Sequence, residues 1–145
     1  VEQVAINLQQ ARIADNAGDQ PVGRPVGAGG PDGIFTTLPA RRIVATAGEL
    51  PLELSLSAGT FVCNHVFYAL MHAITSTRWD DAGPAAAGFV HVPWDTEISD
   101  AYEGVALAGS VASVAHVVKQ TVAQILDPDA TEADASVGAG LGTLH

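Results

Sequence analysis

One cysteine and five histidines make up the chain's whole supply of thiol and imidazole. Cys63 lies in Ser57-Ala58-Gly59-Thr60-Phe61-Val62-Cys63-Asn64-His65. Before it, Leu50 to Ser57 alternates apolar and polar residues, with Leu50, Leu52, Leu54 and Leu56 to one side as in a strand. After it, Val66, Phe67, Leu70, Met71 and Ile74 recur at helical spacing. Gly59 punctuates the join, so Cys63 is expected on the first turn of a helix entered from a strand. Unpaired N–H groups and the positive end of the helix dipole there favour a thiolate, the form that attacks a carbonyl carbon. A free cysteine is also commonly a small buried hydrophobe, and placement alone leaves both readings open.

A nucleophilic thiol needs a base, and spacing narrows the choice among the histidines. His65 falls two residues beyond Cys63, roughly 200° round a helix axis. His72 follows seven later on that same far side. His116 is two beyond Val114 and faces away from the apolar stripe of its own segment, and His145 closes a Gly-rich tail. His91 sits in Gly88-Phe89-Val90-His91-Val92-Pro93, read as a short apolar strand. It comes toward the strand's C-terminal end, where open α/β sheets gather their ligands. A lone strand histidine is nevertheless more often structural. Glu2 is the other unusual group: in Val1 to Leu8, a strand by pattern, it shares a side with Val4, Ile6 and Leu8. A carboxylate among aliphatics needs a partner, unless the end of the chain frays into water.

The elements that position these groups alternate between strand and helix, which points to an α/β class. Ala11 to Asn16 reads as a turn-rich loop, and Pro21 to Gly33 as a long exposed one. The Gly27-Ala28-Gly29-Gly30 run lacks the preceding strand and the following Gly-Lys-Ser/Thr of a phosphate cradle. A short helix is expected from Pro39 to about Ala47, with Thr37 or Leu38 near its cap and Gly48 ending it. Thr77 to Ala87 is a connector. A long helix is expected from a cap at Ser99 or Asp100 to Leu126, with Leu107, Val111, Val114, Val118, Val122 and Ile125 on one stripe. Residues 127–145 form an acidic, Gly-rich tail expected to be disordered. Its Gly138-Ala139-Gly140-Leu141-Gly142 lacks dinucleotide-binding spacing.

Composition excludes several classes. Sixteen acidic residues against six basic give a net charge of −10, which disfavours nucleic acid and anionic membranes as partners. A single cysteine makes no internal disulfide, in keeping with a reducing cytoplasm. The opening Val1-Glu2-Gln3-Val4 has none of the pattern of a signal peptide. The longest apolar stretch, Val105 to Leu126, is interrupted by His116, Lys119, Gln120 and Gln124 and does not suit a membrane span. No metal or other cofactor is implied, since the histidines do not cluster at ligand spacing and there is no second cysteine.

The segment from Ser57 through Tyr68 resembles the nucleophile region of pyroglutamyl peptidase I (pyrrolidone-carboxylate peptidase), a family of cytosolic cysteine peptidases that remove 5-oxoproline from peptide N-termini. Val1 to Pro21 resembles the family's glutamate segment, Pro31 to Pro39 its loop before a helix, and Gly88 to Pro93 its histidine segment, all in the family's order. The resemblance implies a three-layer α/β/α sandwich of the phosphorylase/hydrolase type. It implies Cys63 as nucleophile, His91 as base and Glu2 as the group that orients the imidazole. It also implies Arg12 near the oxyanion, with Ile13, Phe61, Val62 and Val66 at the pocket wall. Ala14 stands where the family has proline, which loosens that loop. The family's first strand and helix have no counterpart, so residues 1–126 read as the C-terminal portion of a single peptidase domain. Pyroglutamyl peptides and further copies of the chain are the implied partners. An inactive fragment or interaction module, or a related cysteine amidohydrolase with a changed pocket, are the alternatives. Residues 1–145 alone are expected to turn over substrate weakly or not at all.

Overall fold

In a computed structural model the described residues are 1–76, 86–97 and 104–127, and the sheet is organised around a strand near the start of the chain. Glu-Gln-Val-Ala-Ile forms β1 (Glu2–Ile6), followed by β2 (Gln9–Gln10), β3 (Val22–Arg24) and β4 (Gly33–Phe35). Then come α1 (Ala40–Ala45), β5 (Ser55–Ser57), α2 (Val62–Ser76) and α3 (Leu107–Leu126). β1 is the middle strand of a sheet ordered β4-β1-β5. It runs antiparallel to β4, with Ala5 opposite Ile34, and parallel to β5, with Glu2 opposite Ser55 and Val4 opposite Ser57. A parallel neighbour requires a crossover, and the segment containing α1 provides it.

Two apolar clusters place helices against this sheet. One packs Phe67, Tyr68 and Met71 of α2 against Ala5, Ile34 and Ala87. The other joins Val1 with Ala40 and Ile43 of α1 and Val117 of α3. With α2 over one cluster and α1 and α3 over the other, the chain has the layered α/β architecture its alternating pattern implied.

Several local expectations need correction. Pro21 to Gly33 is not all loop: β3 pairs with β2 in a second, two-stranded sheet, with a register shift between Gln9 and Gln10. The Leu50 to Ser57 alternation yields a strand only over Ser55–Ser57. Pro51 has no N–H to contribute, Leu52 N–H turns back to Leu50 O at 2.7 Å, and Leu56 is exposed. Gly88 to Val92 contributes one antiparallel bridge, Phe89 to Glu2, rather than a strand. Pro39 itself occupies the N-cap of α1. The threonines before it tether the entry instead: Thr37 Oγ1 accepts from Ala87 N–H at 2.7 Å, and Thr36 Oγ1 donates to Ala87 O at 3.0 Å.

The largest departure concerns α3. It starts at Leu107, after a non-helical Gly104–Ala106 in which Val105 N–H reaches Trp94 O at 2.9 Å. The proposed cap at Ser99 or Asp100 lies outside the described residues, as do Thr77 to Ala85 and the tail from 128 onward. The apolar stripe does not face the core: exposures run from 41% at Val114 to 61% at Leu107. Ser110, Ser113 and Val117 are the buried positions. His116 helps fix this rotation, with Nε2 3.0 Å from Ile43 O and 3.2 Å from Thr46 Oγ1.

Tyr68 lies at the centre of the α2 cluster, fully buried, and its hydroxyl donates to Pro31 O at 2.7 Å. Burial raises its ionisation above the usual 10.0, and the negative charge of Asp32 adds to the rise. The folded value is the higher, so this contribution to stability is complete below about pH 10 and is lost as pH rises through the folded value. Tyr68→Phe is expected to lower unfolding free energy by about 1 kcal/mol near neutral pH. It should also flatten the alkaline decline of the urea midpoint, and an unchanged alkaline limb would contradict this assignment.

Candidate active site

β1 delivers Glu2 into the interior, where only 3% of its surface remains accessible. Its backbone N–H donates to Phe89 O at 2.9 Å, and this bridge aligns the segment carrying His91 beside it. Glu2 Oε1 and His91 Nδ1 then meet at 2.6 Å. A carboxylate can only accept, so the shared proton belongs to Nδ1 and the lone pair of the neutral ring lies on Nε2. A buried carboxylate is costly without a partner, and this contact supplies one. Oε2 has no partner among the described residues. The His91 side chain is about half open to solvent. Glu2 is thus not a frayed end in water: it is buried and bonded to His91.

Cys63 stands on the first turn of α2, reached through Gly59 at φ +77°. It is partly buried and unpaired. Phe67, one helical turn later on the same face, has its ring centroid 5.8 Å from that of Phe89. Phe89 in turn meets the His91 ring edge-on at 5.0 Å. Two aromatic contacts therefore run from the cysteine-bearing face of α2 to the imidazole. Sequence reasoning did not single out Phe89. Its signal was the apolar residue two positions before His91, on the same side of an extended segment.

Three of the other histidines have partners elsewhere. His65 is exposed, with Nδ1 3.1 Å from Gln9 Oε1. His72 stacks on Tyr68 at 5.7 Å beside the Gly27–Gly30 turn. His116 is bound to α1, and His145 lies outside the described residues. Arg12 and Ile13 are exposed on the loop after β2. Gln10 N–H donates to Thr60 O at 2.8 Å, which brings the start of that loop to the turn preceding Cys63. Phe61 is half-buried, whereas Val62 and Val66 are exposed on the flank of α2. Among the described residues no group of three His, Cys, Asp or Glu side chains is placed to hold a metal ion.

The family model described as pyroglutamyl peptidase matches residues 1–128. A pyrrolidone-carboxylate peptidase of Cupriavidus pinatubonensis is 43% identical over 136 residues, 92% of this chain and 60% of that protein. One from Gloeobacter violaceus is 49% identical over 106 residues, 72% of this chain and 49% of that protein. Among solved structures, pyroglutamyl peptidase I of Bacillus amyloliquefaciens superposes with a TM-score of 0.73 at 36% identity, over 84% of this chain and 59% of that one. Pyrrolidone carboxyl peptidase of Thermococcus litoralis gives 0.78 at 28% identity, over 88% of this chain and 61% of that one. The chain thus spans about half to three-fifths of the length of these curated relatives.

A short Nδ1–H contact to a buried carboxylate deshields the shared proton. A proton NMR signal downfield of the amide region is expected from the chain and should vanish in both Glu2→Gln and His91→Ala. Its persistence in either variant would place the proton elsewhere.

Proposed function

The chain belongs to the pyroglutamyl peptidase family, and from that membership we propose that it cleaves the pyroglutamyl residue from peptide N-termini by cysteine catalysis. What supports this most directly is the 2.6 Å Glu2–His91 contact, linked through the Phe89 and Phe67 rings to the helix whose first turn carries the chain's only cysteine. In this proposal His91 Nε2 takes the proton of the Cys63 thiol, and the thiolate attacks the carbonyl carbon joining pyroglutamate to the next residue. The imidazolium, held by Glu2, returns the proton to the departing amine. Water then attacks the thioester, with His91 again as base, and releases pyroglutamate.

The oxyanion of each tetrahedral intermediate would be met by first-turn N–H groups of α2, which have no partner inside the helix. Arg12 would stand near it. Ile13, Phe61, Val62 and Val66 would form the wall against the flat lactam, a neutral group suited to an apolar pocket with few polar anchors. No metal or cofactor enters this scheme.

A second part of the proposal concerns association. The exposed stripe of α3 runs from Leu107 to Ile125, with Trp94 also exposed. An uncovered apolar face of that length fits an interface better than solvent, and another copy of the chain is the proposed cover. No helix among the described residues is long and apolar enough to cross a membrane. A cytoplasmic setting is proposed on the unpaired thiol.

Release of a fluorophore from a pyroglutamyl amide tests the activity. Turnover is expected to be abolished by Cys63→Ala or iodoacetamide and to fall about 10²- to 10⁴-fold in His91→Ala. Full activity in Cys63→Ala would refute the cysteine mechanism. Sedimentation is expected to show a dimer or larger, reduced to monomer by Val118→Glu, and a monomeric parent chain would refute the association.

A further inference from the structure

The parallel pairing of β1 with β5 ends at Val4 and Ser57. Two residues past the end of β5, at Gly59, the chain turns away at φ +77°, so Ile6, which pairs with Gly33 of β4 on one edge, has no strand residue beside it on the other. Its peptide group is nevertheless fully bonded. Ile6 N–H donates to Asn64 Oδ1 at 2.9 Å, and Asn64 Nδ2 donates to Ile6 O at 2.8 Å. The same Nδ2 donates to Leu8 O at 3.1 Å. Asn64 is completely buried, as is Tyr68 one turn farther along the same helix. Its carboxamide takes the place of a peptide unit in the sheet ladder. A fully bonded buried amide holds its geometry closely, because any displacement leaves donors and acceptors stranded.

This residue follows Cys63 directly. We propose that Asn64 is a positioning residue for the reaction: its carboxamide locks the first turn of α2 to the strand that carries Glu2, and so sets the direction in which the Cys63 sulfur leaves the backbone. This rests on the peptidase reading above for the reaction, though not for the clamp. One strand then serves both ends of the site. Glu2 is at the start of β1 and orients the base; Ile6 is at its end and, through Asn64, orients the nucleophile. Other side chains would not serve. Asp would accept from Ile6 N–H but oppose two carbonyl oxygens, and Gln would overreach by one methylene.

Asn7 provides a control. It makes three hydrogen bonds of the same kind, to Gly27 N–H, Gly27 O and Gly30 O, but holds the glycine turn rather than α2. Both Asn64→Ala and Asn7→Ala are expected to lower the thermal midpoint. Only Asn64→Ala should lower kcat, on the order of 10²-fold with KM within about threefold. Only that variant should also slow alkylation of the single cysteine by iodoacetamide at pH 7, by about fivefold or more. Asn64→Ser, which keeps one polar atom at the site, replaces it if the alanine variant does not fold. Equal loss of thermal stability in the two variants, with kcat and alkylation rate unchanged in both, would overturn the proposal and leave Asn64 a structural residue only. Weak or absent turnover by the unsubstituted chain would bear on the peptidase reading alone, and the alkylation rates still decide the role of Asn64.

Discussion

A strand in the middle of a sheet must find partners for the polar groups on both of its edges, and β1 meets this demand in an unusual variety of ways. β4 covers one edge in antiparallel register and β5 part of the other. Phe89 bonds the peptide of Glu2, and a side chain from α2 bonds the peptide of Ile6. A buried backbone group left without a partner costs about as much as a lost hydrogen bond. Each of these neighbours is therefore held in place by the strand's own requirements. The histidine segment and the cysteine helix are both attached to β1 in this way, at opposite ends of five residues.

Much of this was legible in the residues themselves, though for different reasons. Helical spacing after Gly59 correctly put Cys63 on a first turn, because periodicity over fifteen residues is a strong signal. The same rule correctly turned His65 and His72 away from it. Glu2 among aliphatics was an anomaly that demanded a partner, and the partner is His91. What pattern could not supply was the pairing itself, which spans 89 positions and depends on a single bridge at Phe89. Asn64 was invisible for a related reason. A polar residue in the first turn of a helix ordinarily reads as solvated, and only the ending of β5 gives it backbone to bond.

The rotation of α3 marks where amphipathic reasoning fails. The stripe from Leu107 to Ile125 is the obvious buried face of an isolated helix, yet Ser110, Ser113 and Val117 face inward. Ser110 and Ser113 lie beside Pro51, Leu52 and the Val90–Pro93 segment, Val117 packs on Ala40 and Ile43 of α1, and His116 reaches the end of α1 to bond Ile43 O. Hydrophobic periodicity marks an apolar face on a helix but does not by itself say that the face meets the rest of the chain: here the stripe is 41% to 61% exposed.

The long separations within this site have a kinetic consequence. Glu2 with His91, and Ile6 with Asn64, are contacts that close loops of 89 and 58 residues. Closing such loops costs entropy before any local bond can offset it, roughly 4 kcal/mol for the longer one treated as a free coil. Helices α2 and α3, built from neighbouring residues, have no such barrier. A newly made or locally melted chain can thus hold most of its helical content while imidazole and carboxylate remain strangers, and circular dichroism would recover on refolding well before the Glu2–His91 contact did.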